Sequence, residues 1–97
     1  MTGLRAALLL LVALFFAAAA SAEPTFEQDS DRPGSDFNWF TMPQPWPRLC
    51  QEACLNTSEC VAWTYMKPNV RGLRAGCWLK SEVKPATPNV CCVSGVR

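Results

Sequence analysis

The chain has 97 residues, six cysteines, no histidine and a formal charge of +1. That is one small domain at most. Without histidine, most general-base and catalytic-zinc arrangements are excluded, and without a basic surplus so is a nucleic-acid footprint. Residues 1–22 read as a secretory signal peptide: Arg5 gives the positive start, Ala6 to Ala20 is an unbroken apolar run, and Ala20-Ser21-Ala22 fits the small-x-small cleavage rule. The run is shorter than the roughly 20 residues of a membrane span. The expected location is therefore secreted or periplasmic, with no transmembrane segment after cleavage. In such an oxidising compartment the cysteines are read first as disulfides.

Beyond Glu23 the charge is unevenly spread. Residues 23–36 hold five acidic side chains against Arg32, whereas residues 37–97 hold seven basic and three acidic ones. Residues 23–35, with Pro24, Pro33 and Gly34, read as an acidic extended leader ending in a turn, which leaves residues 36–97 as the domain. Asp36 to Phe40 alternates as a short strand. Pro43, Pro45 and Pro47 form a stiff connector, and Pro47 suits the first position of a helix running to Leu55. On that helix Cys50 and Cys54 are i and i+4, so both thiols point one way, toward the sheet.

Cys60 to Met66 is the strongest strand, with Val61, Trp63 and Tyr65 on one face. Residues 67–76 form a loop with three positive charges and no acid. Cys77 to Ser81 is a second central strand, antiparallel to the first; Pro85 to Asn89 is a turn-rich connector, and Cys91 to Val96 a closing strand. The expected fold is α+β, one helix packed on a short antiparallel sheet.

The order Cys50-x3-Cys54-x5-Cys60-x16-Cys77, with Cys60-Val-Ala-Trp-Thr-Tyr, Cys77-Trp-Leu-Lys and Val93-Ser-Gly-Val, resembles the PAN/apple domain, in its short secreted bacterial form. The segment Asp31 to Phe37 fits as well, so the resemblance covers nearly the whole chain after the signal. It implies a helix clamped to a sheet through Cys50–Cys77 and Cys54–Cys60. In the chain-entropy model such bridges stabilise by about 3.6 and 2.4 kcal/mol, because the first closes the longer loop. The larger apple pattern also ties the chain ends with a third bridge. No cysteine lies between the signal and Cys50, so that bridge cannot form here. Cys91 and Cys92 are then left over: bonded to each other, paired elsewhere, free, or linked to another chain.

The candidate ligand residues are Trp63, Tyr65 and Trp78, whose flat apolar rings can stack on sugars, and Lys67, Arg71 and Arg74, whose charges suit an anionic polysaccharide or an acidic protein. Lys80 and Lys84 extend the basic set. The same rings equally suit a small core, and the same charges a solvated loop. No catalytic set, cofactor site or metal site is expected: there is no histidine, GxSxG or CxxC. The resemblance implies a non-catalytic binding module for a protein or carbohydrate ligand. The alternative is a cell-envelope structural protein that joins partners through disulfides.

Overall fold

Five strands and one helix build the domain in the computed structural model, which describes residues 23–97; the segment assigned to the signal peptide lies outside the described residues. The elements are β1 (Glu27–Asp31), β2 (Asp36–Thr41), α1 (Pro47–Leu55), β3 (Ala62–Met66), β4 (Gly76–Lys80) and β5 (Thr87–Val96). They form one antiparallel sheet in the order β1-β5-β3-β4-β2. A single 3-10 turn, Val70–Gly72, interrupts the loop between β3 and β4.

The helix lies where the sequence places it. Pro47 occupies its first turn, where a missing N–H costs nothing, and Cys50 and Cys54 are its buried residues. Cys50 bonds Cys77 on β4, and Cys54 bonds Cys60 just before β3. All four of these cysteines are fully buried. The register places Trp63 opposite Leu79 and Tyr65 opposite both Cys77 and Val93. These side chains meet α1 and make the core, with Met42 and Ala75 closing one end. β3 starts at Ala62 rather than Cys60, because the Cys60 amide is already bonded to the Thr57 carbonyl in the turn after the helix.

Two expectations are corrected. The segment read as a leader outside the domain supplies β1, an edge strand paired along β5. Its acidic residues carry no strand pattern; it is ordered chiefly by backbone pairing, Ser30 alone of its residues being buried. And β5 starts at Thr87, within the stretch read as a connector. Pro88 is tolerated there because its pairing with β3 ends at Cys92, so Pro88 meets only Ser30 of β1.

β1 and β2 are opposite edges of the sheet, and residues 32–35 connect them. This short strap crosses the face that α1 does not cover. It explains why several polar groups on that face are buried. Ser94 Oγ donates to the Ser30 carbonyl at 2.9 Å, and Thr64 Oγ1 lies 2.8 Å from Ser94 Oγ. The Arg32 amide donates to Thr64 Oγ1, and Lys80 Nζ donates to the Gly34 carbonyl at 3.2 Å. Each buried hydroxyl therefore has a partner, which keeps its desolvation from destabilising the fold.

Candidate functional site

Strand alternation gives the sheet a second face, and what the strap leaves open there is a groove of about 890 Å³. Pro33 and Gly34 of the strap stand at one end and the 70–74 loop at the other. Between them lie Trp39 of β2, Trp78 of β4, and Cys91 and Cys92 of β5. Trp39 and Trp78 are register partners, with ring centroids 5.9 Å apart and planes 18° from parallel. Trp39 is 59% exposed, a large indole face left to solvent. Gly76 lets the other ring lie flat: a Cβ there would come within 2.9 Å of the Trp78 side chain.

Arg71 and Arg74 line the groove from the loop. Arg71 has a left-handed backbone (φ 54°), between Asn69 (φ 66°) and Gly72 (φ 70°). A non-glycine residue in this region costs about 1–2 kcal/mol. The tight turn is held by the Asn69 amide to the Leu73 carbonyl (2.7 Å) and the Leu73 amide to Val70 (3.1 Å). Neither arginine has an ion-pair partner among the described residues.

Three of the six predicted ligand residues, Arg71, Arg74 and Trp78, thus meet in one groove. The other three lie elsewhere. Trp63 and Tyr65 are 1% and 2% exposed and belong to the core under α1. The register decides it: Trp78 pairs with Thr64, not Trp63, so Trp63 and Trp78 point to opposite faces. Burial also pushes the Tyr65 phenol above its usual range. Lys67 is engaged with Asp29 of β1 at 2.6 Å, outside the groove. The wider basic set shrinks as well, since Lys80 is buried against Asp36 and Lys84 pairs with Glu82. Trp39 was absent from the predicted site. Its signal was the alternation of Asp36 to Phe40, which puts Trp39 opposite Phe40, the residue that packs on the core.

Cys91 and Cys92 are bonded to each other, so all six cysteines are paired. They sit where the β1–β5 register breaks: Gln28 pairs with Val93 and Ser30 with Pro88, so residues 89–92 of β5 face Asp29 alone. This wide bulge projects Val90 into solvent at 78% exposure. Among the described residues no cluster of acidic or cysteine side chains suits a metal ion. No helix of the described residues is long and apolar enough to cross a membrane.

The helix clamped to an antiparallel sheet by Cys50–Cys77 and Cys54–Cys60 defines the class of the fold. A family model for the PAN domain matches residues 30–80, more than half of the chain, and the chain belongs to the PAN domain family. PAN domains in general bind protein or carbohydrate and are typically non-catalytic. No curated protein and no solved structure matches the chain.

Proposed function

We propose that this protein is a secreted or periplasmic binding module for an anionic polysaccharide, held in the groove on the open face of the sheet. The observation that carries the reading is the near-parallel Trp39–Trp78 pair beside two arginines without ion-pair partners. An indole face stacks against the C–H face of a sugar ring. A guanidinium binds carboxylate or sulfate oxygens through paired hydrogen bonds. Neither group performs a chemical step; both hold and orient. A protein ligand is tested beside it, because Met66, Val70 and Leu73 line the same groove and offer apolar surface to an anchor side chain. The disulfide-joining alternative requires a free thiol, and Cys91 and Cys92 are bonded to each other.

The test is calorimetric titration with oligogalacturonate, with a neutral oligosaccharide of equal length, and with an oligoglutamate peptide. Oligogalacturonate binds, and Arg71→Ala with Arg74→Ala, or Trp78→Ala alone, weakens it about tenfold or more, in line with the loss of 1.4 kcal/mol or more. Raising the salt weakens it further. Equal binding of the neutral sugar removes the arginines from the reading, and preference for the peptide replaces the polysaccharide with an acidic protein.

A further inference from the structure

The three disulfides differ in what they can do. Cys50–Cys77 and Cys54–Cys60 are fully buried between helix and sheet. Cys91–Cys92 lines the open groove, with Cys91 partly exposed. A bridge between neighbours in sequence closes the shortest possible loop, so it constrains the unfolded chain least and adds least to stability. Nor does β5 need it: Cys92 pairs with Met66 on β3, and Val93 with Gln28 on β1. A stabilising role therefore does not account for the Cys91–Cys92 bond.

Its neighbours suggest another role. The Cys91 carbonyl accepts from the Lys67 amide at 2.9 Å, at the root of the loop that carries Arg71 and Arg74. The Cys91 amide donates to the Asn89 side chain at 3.0 Å instead of to a neighbouring strand. Besides the pairing of Cys92 with Met66, the disulfide and these two contacts hold the bulge in place next to the two tryptophans.

We propose that Cys91–Cys92 is a reducible centre in the groove, opened by a dithiol reductant, and that its redox state sets the position of the arginine loop and hence the shape of the groove. A thiolate of the reductant attacks the more exposed Cys91 Sγ. The Cys91–Cys92 bond breaks, its electron pair goes to Cys92 Sγ, and that sulfur takes up a proton. The second thiol of the reductant then attacks the mixed disulfide and releases the Cys91 thiol. One protein disulfide becomes two thiols, and one dithiol becomes a disulfide. Freed of the ring, residues 89–92 relax, and with them the Lys67–Cys91 hydrogen bond.

The effect on the ligand rests on the polysaccharide reading; the effect on the groove does not. The oxidised protein is titrated with dithiothreitol, trapped with N-ethylmaleimide and mapped by peptide mass. Cys91 and Cys92 are labelled at a dithiol concentration at least tenfold below that needed for any of the other four cysteines. At that point tryptophan emission shifts while far-ultraviolet circular dichroism does not. Cys91→Ser with Cys92→Ser gives the shifted emission from the start and no response to the reductant. Labelling of all six cysteines together, or selective labelling with unmoved emission, overturns the proposal. Oligogalacturonate affinity falls at least threefold on selective reduction. If neither form binds it while labelling and emission behave as stated, the ligand assignment fails and the reducible centre stands.

Discussion

Gly95 lies in β5 against the largest core side chain. A Cβ there would overlap the Thr25 carbonyl and come within 2.6 Å of the Trp63 ring, so no larger residue fits without moving backbone. Trp63 is also covered by Phe26, with ring centroids 5.5 Å apart, and Arg48 of α1 lies over Phe26 at 5.6 Å. Beside them, Arg32 binds Glu27 through two nitrogens, at 2.8 and 2.7 Å. The hydrogen bonds from Arg32 hold the Glu27 carboxyl below its usual range, helped by the Thr25 hydroxyl and opposed by burial. A depressed carboxylate stabilises the fold fully above its unfolded pKa, about 4.3, and loses that contribution as pH falls through its folded value. Urea unfolding of Glu27→Gln against the parent therefore shows a constant gap, about 1 kcal/mol or less for a partly exposed pair, from pH 7 to 5. The gap closes below about pH 4. A gap that grows on acidification contradicts the assignment. Residues of this kind were legible as types and not as neighbours. Trp63 and Trp78 look alike in the sequence, each following a cysteine within three residues. Only the pairing of Thr64 with Trp78 sends one to the core and the other to the groove.

The elements themselves were largely readable, because their signals are local. Proline at the start and paired cysteines one turn apart marked α1, and aromatic and β-branched residues marked β3 and β4. β1 and the first half of β5 were not, since each is a strand only because the other lies beside it. The two bridges also act on different elements. Cys50–Cys77 ties α1 to β4 across a sequence separation of 27, whereas Cys54–Cys60 closes only the turn after the helix, across 6. Replacing Cys50 and Cys77 by alanine should cost about 1 kcal/mol more than replacing Cys54 and Cys60, which for a domain of this size is a difference of several degrees in Tm. Calorimetric melting of the two double variants decides it, and equal Tm values would show that the longer loop confers no advantage.

At the largest scale, the two ends of the described residues are held together without a disulfide between them. The Thr25 amide donates to the Val96 carbonyl at 2.9 Å, and the Val96 amide to Thr25 Oγ1 at 2.8 Å, where the larger apple pattern has a disulfide. Hydrogen bonds and the Phe26–Trp63 contact do the same work reversibly. A chain beginning at Arg32 should therefore keep its helix and the Cys50–Cys77 and Cys54–Cys60 bridges but expose Trp63 and melt well below the parent. Circular dichroism melting with tryptophan emission as the second readout tests this. A truncated chain that melts with the parent would return residues 23–31 to the status of a solvated leader. The groove depends on the same architecture, since the strap that walls it hangs between β1 and β2.

That strap also fixes an order of events. Glu27 pairs with Ser94, so the first strand of the domain finds its only partner in the last. As the chain is made, the amino-terminal arm emerges early and must wait, unpaired, until β5 has followed it. The four central cysteines can close around the helix before then, but the sheet cannot be completed until β5 has been made. The edge of the sheet is thus completed last, and the waiting arm, with four carboxylates in nine residues of 23–31, is charged enough to stay in water until its strand arrives.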